Sequence, residues 1–127
     1  MDSLGVSGSA LRGFVVASDS VTLVKYGGEP ALSAVEVMFH PQTDGLWYAY
    51  VENDGLKGVV IDVYDMSSGL PVKVATLKVP LGKSPTGVVQ AGDAVPMTGG
   101  SAYLLTFTPL GPEGGSATVT WTYFPAP

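Results

Sequence analysis

The chain has 127 residues, a length that suits one domain, and its hydrophobic content of 46% is enough to fill one compact core. The formal net charge is −5, from 6 Lys and Arg against 11 Asp and Glu, which leaves no basic surface for nucleic acid or anionic membranes. Because cysteine is absent, disulfides, a thiol nucleophile and cysteine-bound metals are excluded.

Glycine and proline interrupt the whole chain, with 17 and 10 copies, while mean hydropathy is +0.31. This composition indicates many turns that join short apolar strands. No apolar stretch approaches the roughly 20 residues that cross a bilayer, so we expect no membrane insertion. We predict an all-β fold, a two-sheet antiparallel β-sandwich of about seven to nine strands, Ig/fibronectin-like or jelly-roll-like, with no α-helix.

The first predicted element is a flexible arm at residues 1–9, which are small, polar and glycine-spaced, so that one sandwich domain spans 10–127. Runs of β-branched and aromatic residues predict the strands Leu11–Ala17, Val21–Tyr26, Ala34–His40, Leu46–Glu52, Lys57–Asp65, Leu70–Val79, Ala102–Thr108 and Ser116–Phe124. The first two strands are expected to bury Phe14, Val16, Val21 and Leu23 in the second sheet.

Short glycine-containing turns predict that the third to sixth strands form a meander. The turns are Gln42–Gly45, Asn53–Leu56 and Met66–Gly69, each with a glycine for a positive φ. Four-residue loops give one apolar inward face that consists of Val37, Phe39, Tyr48, Tyr50, Val59, Ile61, Val63, Val72 and Val74. A one-residue slip would bury Glu36 against Tyr50, which the cost of desolvating a carboxylate disfavours.

The segment Pro80–Gly100 is rich in Gly and Pro and is predicted to cross between the sheets, with Gly87–Gln90 as a short edge strand. The last two strands are predicted to form a hairpin whose inward residues are Tyr103, Leu105, Phe107, Ala117, Val119 and Trp121. Its other side is rich in threonine and belongs to solvent. The stretch Tyr103–Val119, with Y-x-x-x-F-x-P and G-x-x-G-G-S-A, resembles the final hairpin of fibronectin-type and other extracellular β-sandwich modules. The resemblance implies a spacer or binding role.

The predicted register places four side chains in a row on the outer face of the meander: His40, Trp47, Asp62 and Lys73. Such a row could orient a general base or stack on a sugar ring. No nucleophile accompanies it, however, and Asp62 with Lys73 is typical of a cross-strand ion pair. An apolar band is predicted beside the row: Met38, Ala49, Val60 and Ala75. Either this chain's own segments or another subunit would cover that band.

Metal binding and catalysis are not supported by the sequence. The acidic turns 40–45 and 52–55 lie at opposite ends of one strand, and each offers fewer oxygens than Ca²⁺ requires. Asp62 and Asp65 lie on opposite faces of one strand, so they are a poor glycosidase pair. The chain has no nucleotide loop, zinc pattern or nucleophile elbow. We therefore expect no cofactor, no metal and no enzymatic activity.

These observations favour a non-catalytic module with a structural or protein-interaction role, on a cell surface or in a virus particle. The partner would be a protein, which includes a second copy of the chain. Two alternatives remain open: a carbohydrate-binding module that uses Trp47 with His40 and Asp62, and an accessory domain of a larger extracellular enzyme. A cytoplasmic location also remains open.

Overall fold

The computed structural model of the chain describes residues 17–25, 34–54, 56, 58–80, 88–90, 92–110 and 114–126. These residues form nine strands: β1 Ala17–Lys25, β2 Val35–Phe39, β3 Gly45–Asp54, β4 Gly58–Asp65, β5 Val72–Pro80, β6 Val88–Gln90, β7 Val95–Met97, β8 Tyr103–Leu110 and β9 Gly115–Pro125. The predicted all-β sandwich is confirmed, and none of the described residues is helical. The described residues thus contain no helix that could span a membrane.

The strands build two antiparallel sheets. In the five-stranded sheet, β9 lies between β1 and β3, and both β6 and β7 pair with the other side of β3. The four-stranded sheet has the order β2-β8-β4-β5. The inward faces of both sheets form one core. Its largest fully buried side chains are Trp47, Trp121, Phe107, Leu23, Leu56, Ile61, Leu105, Val51, Val59, Val63, Val119 and Pro109.

Aromatic rings join the two sheets inside this core. The Phe39 ring of β2 has its centroid 5.0 Å from that of Trp121 and 5.1 Å from that of Tyr123, both on β9. The Trp47 and Trp121 centroids are 6.1 Å apart. These tilted and edge-on arrangements are the ones that ring quadrupoles favour. The aromatic side chains thereby hold the inward faces of β2, β3 and β9 together.

The strands β8 and β9 bury the residues that the sequence predicts, but they do not pair with each other. All six predicted inward residues of the two strands are buried. β8 nevertheless lies between β2 and β4, whereas β9 lies between β1 and β3. The predicted hairpin is therefore wrong, because alternation determines the inward face of a strand without determining its neighbour.

The predicted meander is also wrong, because β3 lies in a different sheet from β2 and β4. β3 presents the opposite face to the predicted one: Tyr50 is 42% exposed, while Trp47 and Val51 are fully buried. From Leu46 to Val51 both alternating sets of side chains on β3 are apolar, and the signal that distinguishes them is Glu52, which continues the tyrosine set on the outward face. The inward set has almost no polar atoms, whereas the tyrosine set keeps its hydroxyls in water.

The hairpin of β4 and β5 is the part of the meander that is confirmed. Ile61 and Val63 are buried, as predicted. Asp62 lies between them on the outward side, where it faces Thr76 of β5. The inward face of β4 therefore follows its apolar alternation.

The register of this hairpin differs from the predicted one. Ile61 lies opposite Leu77 instead of Val74, because the loop comprises residues 66–71 and a bulge follows it. Val72 and Val74, which are predicted to be inward, are 52% and 48% exposed. A bulge adds one residue to a strand and changes the register beyond it.

β1 includes the predicted second strand from Val21 and the residues just before it, while the predicted first strand Leu11–Ala17 lies outside the described residues except for Ala17. β1 pairs with β9 along its whole length, so Ser18–Ser20 belong to the strand and do not form a turn. Leu23 is buried and Val21 is partly buried, as predicted. The predicted inward residues Phe14 and Val16 and the predicted arm 1–9 lie outside the described residues.

The predicted crossover of the segment between β5 and β8 is wrong, because β5 and β8 both belong to the four-stranded sheet and the segment between them passes through the five-stranded sheet and returns. β6 coincides with the expected short strand, while β7 is an additional strand that also pairs with β3. Of the glycines predicted to have positive φ, Gly69 has a φ of 90° and Gly45 lies in β3 without one. The third, Gly55, lies outside the described residues.

Candidate functional site

In the structure, the predicted row and apolar band of interaction residues do not lie together on one surface. Trp47 is fully buried and Ala49 is 3% exposed, both on the inward face of β3. Ala75 packs against the core from β5, and His40 is exposed just beyond β2. The inverted face of β3 is the main cause, and it removes Trp47 as an exposed anchor for a sugar or a protein.

Four predicted residues remain on the outer face of the four-stranded sheet: Met38, Val60, Asp62 and Lys73. The Thr76 hydroxyl donates a hydrogen bond to Asp62 at 2.8 Å, and Lys73 Nζ lies 3.4 Å from the same carboxylate oxygen. Lys73 Nζ is also 5.7 Å from the centroid of the Tyr64 ring, a cation–π distance. This network ties β4 to β5, so Asp62 and Lys73 form the cross-strand ion pair that the sequence predicts.

Polar groups at one end of the sandwich hold its loops together. The Tyr123 hydroxyl donates to the Thr43 carbonyl at 2.6 Å, and the Gly99 amide donates to the Asp44 carboxylate at 2.8 Å. Burial, together with the nearby Tyr103 and Asp44, raises the pKa of Tyr123 to about 12. The hydroxyl therefore keeps its proton and its role as a donor at neutral pH.

The carboxylates of the predicted acidic turns and strands are used in the same structural way. Asp44 accepts the Gly99 amide, and hydrogen bonds from the Ser67 hydroxyl and amide lower the pKa of Asp65. Asp65 lies on the side of β4 opposite to Asp62. Across the described residues, no three His, Asp or Glu side chains approach closely enough to hold a metal ion.

The outer face of the five-stranded sheet carries an exposed apolar cluster, which we call the aromatic strip. It consists of Leu46, Tyr48 and Tyr50 on β3 and Phe124 on β9. The exposed fractions are 39% for Leu46 and 46% for Phe124, and Tyr48 is partly exposed. Leu46 lies opposite Phe124, and the Tyr48 and Phe124 rings meet edge-on with centroids 5.4 Å apart. The four side chains therefore form one continuous surface.

Hydroxyl side chains cover the outward positions of β1 and β9 beside the strip: Ser18, Ser20, Thr22, Thr118, Thr120 and Thr122. The register aligns them across the strands, so that Tyr50, Thr120 and Ser20 lie in one row. Among the described residues of this face, charged positions occur only at the far end of β3, at Glu52 and Asp54. The described face is thus apolar at one end, neutral and polar in the middle, and acidic at the other end.

Sequence reasoning missed the strip because it assigned the tyrosines of β3 to the core. A signal for Phe124 was present, since it follows Thr118, Thr120 and Thr122 at a spacing of two residues. A strand with this period places all four side chains on one face. The threonines were correctly expected to face solvent, and Phe124 shares their face.

Comparisons with known proteins show no family for this chain. No protein-family model and no curated protein matches it. A family 35 carbohydrate-binding module from Clostridium thermocellum is 15% identical with a TM-score of 0.43, over 90% of this chain and 99% of that one. Bacillus endospore appendages, which form disulfide-linked pili, are 15% identical with a TM-score of 0.36, over 96% and 99%.

The third similar structure is dimeric latent PorU from Porphyromonas gingivalis, which is 11% identical with a TM-score of 0.38. The matched region covers 95% of this chain and 14% of the PorU chain. At these identities and TM-scores, the likenesses assign no fold, ligand or partner to this chain. The class that the fold defines is an all-β sandwich module.

Proposed function

We propose that this protein is a non-catalytic β-sandwich module that binds another protein through the aromatic strip. The observation that carries the proposal is the exposure of Leu46, Tyr50 and Phe124 side by side on a nearly uncharged sheet face. The centres of protein interfaces are enriched in aromatic residues and poor in charge. A sheet face in contact with water alone would be polar there, as its neighbours on β1 and β9 are.

Three carboxylates of the described surface already have structural roles, which leaves the strip as the stronger candidate for binding. Asp62 joins two strands, while Asp44 and Asp65 hold loops. We also propose a location on a cell surface or in a virus particle, which the low charge and turn-rich composition favour. Met38 and Val60 on the four-stranded sheet are not part of the proposed contact, since the Asp62 and Lys73 pair beside them would be desolvated in a contact.

A neutral carbohydrate is the second candidate ligand. Tyr50 lies in one row with Thr120 and Ser20, and an aromatic ring beside hydroxyls suits a sugar. However, the Tyr48 and Phe124 rings are inclined at 81°, so the strip has no platform of coplanar rings on which a polysaccharide could lie. A protein surface can fit around inclined rings, and we therefore rank protein binding first.

Site-specific photo-crosslinking in the cells that produce the protein tests this proposal. A photoreactive phenylalanine derivative is placed at Tyr50 in the strip and, as the matched control, at Met38 on the other sheet. The exposed fractions of these residues are 42% and 44%. We expect one identified protein to be crosslinked from position 50 and not from position 38. That purified protein should bind the wild type at least about tenfold more tightly than Tyr50→Ala.

Equal crosslinking from both positions, or none from position 50, would contradict the proposal. A glycan array probed with the wild type and Tyr50→Ala tests the second candidate. Glycan retention by the wild type that Tyr50→Ala abolishes, without a crosslinked protein, would replace the protein partner by a carbohydrate.

A further inference from the structure

We infer that the protein partner of the aromatic strip is a second copy of this chain, so that two five-stranded sheets pack face to face. The inference rests on the proposed function and names its partner. In a two-fold symmetric contact the same surface occurs on both sides, so an apolar strip meets another apolar strip. The distribution of charge and the design of the sheet edges both point to this arrangement.

The net charge limits the faces through which two copies can meet. Each copy carries a charge of −5, so two copies repel each other unless their contact surface has little charge. Among the described residues, the outer face of the four-stranded sheet carries the charges of Glu36, Asp62, Lys73 and Lys78. Burial of that face would desolvate all of them. The described part of the strip's face has carboxylates only at Glu52 and Asp54.

The position of these carboxylates is compatible with a two-fold contact. If the two-fold axis runs perpendicular to β3 near Tyr48, Glu52 lies four residues further along β3, or about 13 Å from the axis at about 3.3 Å per residue. The two copies of Glu52 are then at least about 26 Å apart. At physiological ionic strength the Debye length is about 8 Å, so the repulsion between them is screened.

The sheet edges favour association of two copies through a sheet face and not through pairing of edge strands. On the edge strand β1, Asp19 is exposed at an inward position opposite Trp121, and an inward charge of this kind blocks edge-to-edge pairing. β7 contains Pro96, which has no backbone donor, and β5 has a bulge opposite the bond between Val63 and Tyr64. β1, β5 and β7 therefore carry features that oppose the addition of another strand.

The size of the face predicts a weak dimer. Three strands spaced about 4.8 Å apart, each about nine residues long, give the whole outward face a projected area of roughly 430 Å² per copy. A contact centred on the aromatic strip leaves Val24, at the far end of this face, outside it and buries less than about 860 Å² in total, which corresponds to weak, transient contacts. We therefore expect monomers at low micromolar concentration and dimers toward millimolar concentration.

Sedimentation velocity from about 10 μM to about 1 mM tests the inference on the wild type and three lysine variants. The variants are Phe124→Lys in the strip, Val24→Lys at the far end of the same face and Met38→Lys on the other sheet, at residues that are 46%, 44% and 44% exposed. All three change the net charge equally. We expect concentration-dependent dimers for the wild type and both controls, and a dissociation constant at least about tenfold higher for Phe124→Lys. Circular dichroism checks that each variant is folded.

Salt provides a second readout. Raising NaCl from about 50 to about 500 mM should strengthen the wild-type dimer, because screening reduces the repulsion between two negatively charged copies. A wild type that remains monomeric at about 1 mM, or a dimer that Phe124→Lys leaves unchanged, overturns the inference. The proposed function then stands if crosslinking from position 50 identifies a different protein, and it fails as well if crosslinking identifies none.

Discussion

Tyr123 joins two functions in one residue, because its ring lies in the core while its hydroxyl holds a loop. The ring contacts Phe39, and the hydroxyl donates to the Thr43 carbonyl. Desolvation, Tyr103 and Asp44 all disfavour the phenolate, which raises the pKa to about 12 from an ordinary value of 10.0. The unfolded chain loses this proton near the ordinary pKa, whereas the folded chain keeps it until higher pH. Tyr123 thus contributes stability below pH 10 that is lost as the pH rises through about 12.

This linkage predicts that the free energy of unfolding falls between pH 10 and pH 12 and that Tyr123→Phe makes the fall shallower. At neutral pH the variant should be about 1 kcal/mol less stable, since it loses one hydrogen bond. Urea denaturation at several pH values measures both effects. The control Tyr50→Phe, at an exposed position, should leave the slope unchanged. An identical slope for Tyr123→Phe and the wild type would contradict the assignment.

Gly45 is needed for close packing and not for an unusual backbone angle. A Cβ at this position would collide with the Phe124 carbonyl and lie 2.6 Å from Tyr123 Cζ. Gly69 is the opposite case, because its φ is +90° and a Cβ added there would have no other atom within 4 Å. We predict a loss of at least about 2 kcal/mol for Gly45→Ala and about 1 to 2 kcal/mol for Gly69→Ala.

Thermal denaturation combined with a crystal structure of each glycine variant would separate the two causes. Gly45→Ala should displace the last residues of β9, since the backbone of Phe124 cannot yield locally. Gly69→Ala should change only its own loop. A Gly45→Ala protein as stable as the wild type would show that this end of the sandwich is less tightly packed than the contacts indicate.

At the scale of strands, the sequence predicts which side chains face inward better than it predicts which strands are neighbours. The inward residues of β4, β8 and β9 follow from strict apolar alternation, and all are buried. β3 is the exception, because Trp47, Ala49 and Val51 alternate with Leu46, Tyr48 and Tyr50, and only Glu52 at the end of the second set shows which one faces water. The predicted site lost Trp47 and Ala49 to the core through that choice, while Tyr48 and Tyr50 moved from the predicted core to the outer face.

The hairpin of β4 and β5 shows that the position along a strand decides how much an inward side chain contributes. Ile61 is fully buried, whereas Val72, opposite Asp65 at the loop end of the hairpin, is 52% exposed although both were expected in the core. We predict that Ile61→Ala lowers the free energy of unfolding by about 2 to 5 kcal/mol, since it leaves a cavity. Val72→Ala should lower it by less than about 1 kcal/mol. Urea denaturation of both variants measures the difference, and equal losses would contradict the exposure of Val72.

At the scale of the whole molecule, composition was sufficient for the fold class and insufficient for the topology. Many glycines and prolines, short apolar runs and no helical periodicity indicate two sheets, and the described residues form two sheets. The pairing of β1 with β9 or of β2 with β8 leaves no local signal, because it depends on how the complete inward faces fit together. Turn chemistry identifies only pairs that are adjacent in sequence.

This topology predicts slow folding. Among the described strands, β4 and β5 form the one pair of sequence neighbours that are hydrogen-bonded, and an isolated hairpin is at best marginally stable. β1 must find β9 at the opposite end of the chain, so the entropy of loop closure is lost before the core that offsets it forms. We therefore expect refolding from urea in milliseconds to seconds. Stopped-flow fluorescence can follow it, because Trp47 and Trp121 are both buried. Far-UV circular dichroism should recover at the same rate, since the sheets and the core form together. Recovery within microseconds, or strand signal that returns well before tryptophan fluorescence, would show that local hairpins and not long-range pairing limit the folding of this sandwich.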